Sequence, residues 1–148
     1  STRENGAMRV LPASHTMEVL PHTDTFAADN LLSRGQEIRV DVDERKAVAL
    51  ELEPGQMSLH HVKLIHGSEP NPSPHRRIGL AVRYIPTHVR QTAGMVDSAM
   101  LVRGLDSFGY FHPEERPSAD LSPSAIAHHA EVTNAASRIL MRGTQRAS

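Results

Sequence analysis

Hydrophobic and polar positions alternate along much of the first half of this chain, with turn residues between the alternating runs. From Glu37 to Val42, Ile38, Val40 and Val42 fall on one side and Glu37, Arg39 and Asp41 on the other. That period of two is the signature of a half-buried strand. Val48, Leu50 and Leu52 repeat the pattern across Ala47 to Glu53, after the charged turn Asp43-Glu44-Arg45. Pro54-Gly55 punctuates the chain, and a third strand is expected from Met57 to Ile65. A fourth follows from Arg77 to Ile85, with Ile78, Leu80, Val82 and Tyr84 on one face and Arg77, Gly79, Ala81 and Arg83 on the other. Ala7 to Leu11 reads as a short strand stopped by Pro12. Thr25 to Leu32 reads as one or two helical turns ended by Gly35.

The tail carries a different period. Ser122 is a capping residue, Pro123 suits the first helical position, and Ile126, Val132, Ala136, Ile139 and Leu140 lie near one face. A helix is expected from Pro123 to Met141, stopped by Gly143. Residues 90 to 110 show no clear period. Short strands with Pro/Gly turns point to an antiparallel sandwich or barrel.

Composition narrows the chemistry. The 148 residues suffice for one domain with a modest core. A net charge of −1 gives no reason to expect a nucleic acid or a membrane surface as partner, and no segment resembles a signal peptide or a membrane span. A cytoplasmic location is the default expectation. With no cysteine, disulfides, thiolate catalysis and cysteine zinc sites are excluded. Ten histidines are many, but His112, His128 and His129 lie far from the densest chemical segment and read as solvated.

That segment runs from Gly55 to Pro86. It holds His60-His61, His66-Gly67-Ser68, Asn71 and Arg76-Arg77. A loop histidine followed eleven residues later by an arginine on the next strand suits joint binding of iron and a dicarboxylate. Imidazole ligates Fe(II) well, and a guanidinium fork grips a carboxylate through two parallel bonds. Arg77 shares its face with Gly79 and Ala81, which leaves room beside it. Arg76 is the competing choice if the loop is shifted by one residue.

The segment resembles the C-terminal half of the phytanoyl-CoA dioxygenase family of Fe(II)/2-oxoglutarate-dependent oxygenases. The resemblance extends to Asn5-Gly6 through Pro12-Ala13-Ser14-His15, where Ala13 stands in place of the family's usual glycine, and to Asn30 through Glu37 and Ile85 through Gln91. It implies a mostly β fold, part of a double-stranded β-helix (the cupin-like jelly roll), over residues 1–120, with a C-terminal helix and frayed tail over 121–148. It implies His66 as a metal ligand and Arg77, with Ser68, as the site for 2-oxoglutarate. From the residues themselves, His60 has the same parity as His66 if the strand is regular, and either lines the cavity or is a satisfied barrel histidine, while Asn71 shapes the turn. The expected reaction is hydroxylation of a small organic substrate, with 2-oxoglutarate converted to succinate and CO2.

An iron triad needs two histidines and a carboxylate. The family places a His-x-Asp pair upstream of the Asn-Gly stretch, and here only four residues precede Asn5. The expectation is therefore an N-terminally truncated oxygenase, inactive alone. His22-Thr23-Asp24 is a literal His-x-Asp and the alternative pair; Pro21 and the polar run after it favour a surface loop. The alternative function is a non-catalytic jelly-roll module that binds a small ligand or metal.

Overall fold

The computed structural model describes residues 1–28 and 33–144. The chain divides into two compact units, residues 1–81 and 82–148. Strands organise the first of these, and the single α-helix among the described residues lies at the C-terminal end.

In residues 1–81 the centre is β1 (Arg9–Val10), preceded by a 3-10 turn at Arg3–Asn5. A second 3-10 turn, Ser14–Thr16, follows β1. β2 (His22–Asp24) and β3 (Gln36–Ile38) pair antiparallel as a two-stranded sheet of their own, with Thr23 opposite Glu37. β4 (Val48–Ala49) and β5 (His66–Gly67) flank β1 on its two sides, both antiparallel. Val10 faces Val48 on one neighbour and His66 on the other. Ala7, Val10 and Ser14 are buried around this strand, so the core of the unit sits where β1 enters the turn after it.

The Asn5-Gly6 turn is held from both ends. Thr2 N–H donates to the Asn5 side chain at 2.8 Å, and Gly6 adopts a φ of 77°. A β-carbon at Gly6 would stand 2.5 Å from the Glu69 carbonyl oxygen, so the backbone of the loop after β5 closes directly on this glycine.

In residues 82–148, β6 (Ser98–Ala99) and β7 (His112–Pro113) pair in parallel, and Ser98 Oγ donates to Glu114 at 2.7 Å. The helix α1 (Pro123–Leu140) starts where expected. Ser122 Oγ accepts from Ala125 N–H at 3.3 Å, Pro123 takes the first turn, and Gly143 at a φ of 78° lies just beyond the end.

Six expectations need correction. Two strands are shorter than the alternation suggests: Gln36–Ile38 in place of Glu37 to Val42, and Val48–Ala49 in place of Ala47 to Glu53. Met57 to Ile65 and Arg77 to Ile85 form no strand at all. Alternation marks a segment able to sit in a sheet, but a strand exists only where a neighbour completes its hydrogen bonds. Among the described residues no backbone hydrogen bond involves Arg76 to Ile85. His22-Thr23-Asp24, expected in a loop, is a strand because β3 lies beside it. Thr25 to Ala28 is not helical, and the remainder of that expected helix, residues 29–32, lies outside the described residues.

Candidate functional site around His66

His66 owes its position to the turn after β1. Pro12 ends the strand, and the chain reverses through Ala13 at a φ of 64° into the 3-10 turn that begins at Ser14. The Ser14 hydroxyl is buried. It donates to the Leu11 carbonyl at 2.8 Å and accepts from the Ile65 amide, also at 2.8 Å. Leu11 N–H in turn donates to the Ile65 carbonyl at 2.9 Å. One hydroxyl thus clamps the residue immediately before His66 onto the end of β1. Register then places the His66 side chain on the same face as Val10 and Val48, because directly opposed residues of antiparallel strands share a face.

The imidazole is exposed, and one of its nitrogens is committed. His66 Nδ1 lies 2.7 Å from the Leu64 carbonyl oxygen. A carbonyl only accepts, so Nδ1 carries the proton, and in the neutral ring the lone pair is at Nε2. That is the tautomer a metal-binding histidine adopts, with a backbone carbonyl orienting the ring. His61 is set the other way. Its Nδ1 accepts from Lys63 N–H at 3.2 Å, which leaves the proton on Nε2. The His61 ring instead stands beside His15, with centroids 5.7 Å apart. His60 stands beside His66, with centroids 6.0 Å apart and ring planes inclined by 52°.

The loop after β5 carries the other candidates. Asn71 shapes it: its side chain donates to the His75 carbonyl at 2.8 Å and accepts from the Ser73 amide and hydroxyl at 3.0 and 2.7 Å. Ser68 is exposed and hydrogen-bonds to no other described residue. Arg76 and Arg77 are exposed and make no ion pair among the described residues.

His22 and Asp24 are occupied elsewhere. The Asp24 carboxylate forms an ion pair with Arg34 and accepts from the Gln36 side chain at 3.0 Å. The hydrogen bonds from Arg34 hold its carboxyl below the usual aspartate range against the opposing effect of desolvation, with Gln36 and His22 adding to the lowering. Among the described residues no three His, Asp or Glu side chains gather closely enough to hold a metal, so His22, Asp24 and His66 do not form a triad. A cavity of about 230 Å³ is lined by Arg3, Gly6, Ala7, Arg9, Ala49 and Glu69. Arg9 and Ala49 lie on the sheet face opposite His66. Its two guanidiniums are spent on Glu51, at 3.1 Å, and Glu44, at 2.6 Å, so this cavity is not a ready anion site. Neither the Ser14 clamp nor the contrast between His61 and His66 was legible from residue spacing; the Pro-x-Ser-His turn was the nearest signal to the first.

The decisive comparison concerns residues 1–79, which match the model of the phytanoyl-CoA dioxygenase (PhyH) family. The chain belongs to this family. The match spans more than half of the chain and includes Ser14, His66, Ser68 and Arg77. Over 86 residues, this family member is 34% identical to a probable alpha-ketoglutarate-dependent hypophosphite dioxygenase of Stutzerimonas stutzeri, covering 57% of this chain and 30% of that protein. Among solved structures it resembles a non-heme monooxygenase, ThoJ in its apo form, with a TM-score of 0.81 and 39% identity, over 99% of this chain and 52% of that one. The chain therefore spans about half, or less, of the length of these relatives. Among its described residues, no helix is long and apolar enough to cross a membrane.

Proposed function

We propose that this chain carries one part of a non-heme Fe(II)/2-oxoglutarate oxygenase site on part of a jelly-roll fold. In this reading His66 binds the iron through Nε2, and Arg77 holds the distal carboxylate of 2-oxoglutarate with help from Ser68. The observation that carries it is the His66–Leu64 hydrogen bond, which leaves the Nε2 lone pair exposed for a ligand. Family membership supports the identity of that ligand.

The described residues fit one corner of an iron site and not the whole of it. One oriented imidazole is present, and Arg76 and Arg77 make no ion pair among the described residues, but no three-ligand cluster is found among them. Iron with 2-oxoglutarate would supply the oxygen activation that hydroxylates a small organic substrate. The chain's own contribution is narrower. The Leu64 carbonyl keeps the His66 proton on Nδ1. The Ser14 clamp fixes the backbone beneath the ring. Arg77, exposed and without an ion pair among the described residues, offers two parallel donors to a carboxylate. The second reading is a jelly-roll module that binds a metal or small ligand at His66 without turnover; it needs only the one oriented imidazole.

Anaerobic Fe(II) titration, followed through the histidine ring protons, tests the site. Resonances of His66 should broaden before those of His61 and His22, and His66→Gln should abolish the early broadening. Early broadening at His61 or His22 would overturn the assignment. With the complementary half of an oxygenase supplied, conversion of 2-oxoglutarate to succinate marks the enzyme; metal binding without succinate marks the binding module.

A further inference from the structure

His61 and His66 are set oppositely: His66 presents a lone pair at Nε2, and His61 presents a proton there. His61 Nδ1 accepts from the Lys63 amide at 3.2 Å, so Nε2 of the neutral ring carries the hydrogen and only donates. That makes His61 a poor metal ligand and a good partner for an anion. Its ring stands beside His15, with centroids 5.7 Å apart and planes inclined by 48°. The His15 ring hydrogen-bonds to no other described residue, and in either neutral tautomer it offers one N–H.

Lys63 brings a charge to the same place. Its Nζ donates to the Met17 carbonyl at 2.8 Å, two residues beyond His15. That bond occupies one of three ammonium hydrogens and leaves two. Lys63 makes no ion pair among the described residues, and neither does Glu18, the acidic residue next to that carbonyl in the chain.

The two segments that carry these groups are fixed to each other. His15 lies in the 3-10 turn Ser14–Thr16, closed by Thr16 N–H on the Ala13 carbonyl at 3.2 Å and Met17 N–H on the Ser14 carbonyl at 3.1 Å. His61 opens a turn that Leu64 N–H closes on the His61 carbonyl at 3.0 Å. The Ser14–Ile65 and Lys63–Met17 bonds hold one turn against the other. All of these residues belong to the first unit, 1–81. Donors held in place before a ligand arrives lose little freedom when it binds.

We propose that His15, His61 and Lys63 form a binding site for a small tetrahedral oxyanion, a phosphate group or sulfate. Two nitrogens that each donate to one oxygen of the same ion, at about 2.9 Å, stand roughly 5–7 Å apart. Rings with centroids 5.7 Å apart can place their nitrogens so. Four oxygens give each of the three donor groups one of its own, whereas a carboxylate has only two. Lys63 supplies the charge, and the imidazoles supply direction. The site does not depend on the iron reading at His66.

Histidine ring nitrogen spectra of the full chain test it. At about pH 8, where histidines are neutral, His61 should be protonated at Nε2 and His66 at Nδ1; a His61 protonated at Nδ1 overturns the proposal. Inorganic phosphate, added at constant ionic strength, should move the His15 and His61 signals along one saturating curve with a midpoint of about 10 mM or below. The His112 and His128 signals should stay still. Glycerol 3-phosphate, titrated in parallel, separates a phosphate group on a larger molecule from the free ion. Saturation by either supports the site, and the tighter of the two identifies the source. His15→Phe, His61→Phe and Lys63→Met should each weaken phosphate binding about fivefold or more. Exchange at the Ile65 amide should not change in these variants, which shows that the turns stay docked. Sulfate should compete with phosphate. Acetate binding as tightly as phosphate overturns the tetrahedral assignment. Shifts that do not saturate, shifts equal at every histidine, or affinity indifferent to all three substitutions overturn the site.

Discussion

Replacing Ser14 by alanine removes a hydroxyl that two segments share. The Oγ donates to Leu11 and accepts from Ile65, 51 residues away, both at 2.8 Å, and Ser14 is only 4% exposed. Each such bond contributes about 1 kcal/mol net. A methyl group fits where CH2OH stood, so no large cavity follows. The loss strands the Ile65 amide and one acceptor site of the Leu11 carbonyl. Because Ile65 is only half-buried, water replaces part of its lost bond, which keeps the expected cost near the simple sum, about 2 kcal/mol. With a urea slope of about 2 kcal/mol/M, the unfolding midpoint should fall by about 1 M. Thr16→Ala is the control. Its hydroxyl donates to the Ala13 carbonyl at 2.9 Å in an exposed position, and its loss should cost no more than about 0.5 kcal/mol. Hydrogen exchange locates the effect: in Ser14→Ala the Ile65 amide should lose protection before the Val10 and Val48 amides do. If Ser14→Ala unfolds within 0.5 kcal/mol of the parent, or if Ile65 keeps its protection while stability falls, the clamp does not hold the base of His66.

Two further outcomes are expected. Ala13→Gly should stabilise the chain by about 1 kcal/mol in urea unfolding, although glycine usually destabilises. At a φ of 64° relief of the left-handed strain on alanine, about 1–2 kcal/mol, exceeds the added unfolded-chain entropy. Asp24, whose carboxyl is held low mainly by the hydrogen bonds from Arg34, contributes stability that is present above the unfolded aspartate value of about 3.9 and lost as pH falls through its lower folded value. Asp24→Asn should therefore flatten the acid limb of the stability–pH curve below about pH 4 and leave Asp43 and Glu51 to account for what slope remains.

Local rules located what local chemistry decides. The helix was legible to within a residue at each end because Ser122, Pro123 and Gly143 act on their immediate neighbours. The turn at Pro54-Gly55 was legible for the same reason, with Gln56 N–H closing on the Glu53 carbonyl at 3.0 Å. Strand length was not legible. Val40 and Val42 alternate as cleanly as Ile38, yet β3 stops at Ile38, where its partner β2 has run out. The loop expected at His22 failed for the converse reason: polar residues beside a proline look like a turn until a partner strand arrives. At the candidate site, the resemblance of the flanking stretches singled out His66 from its neighbours, but the reason it differs from His61 lies in which ring nitrogen meets a carbonyl and which meets an amide. Spacing carries no information about that choice.

The same contrast bears on which runs of this chain are paired. A helix satisfies its own backbone, so α1 forms although none of its residues is buried. A strand cannot, so the alternating runs of this chain are strands only to the extent that partners stand beside them. Val10 has two partners and is 8% exposed; Leu80 has none and is 92% exposed. Between those two residues the difference in sequence signal is slight, and the difference in burial is nearly the whole range. His66 stands in a paired strand and Arg77 in an unpaired run, so the two halves of the proposed site differ in how far they are formed. The imidazole is oriented before any ligand arrives. The guanidinium stands on an exposed run with no backbone partner among the described residues. With Arg77 in the role proposed for it, whatever orders Arg76 to Ile85 would raise affinity for a dicarboxylate more than affinity for a metal at His66, since it removes the cost of ordering the arginine and leaves the histidine as it was.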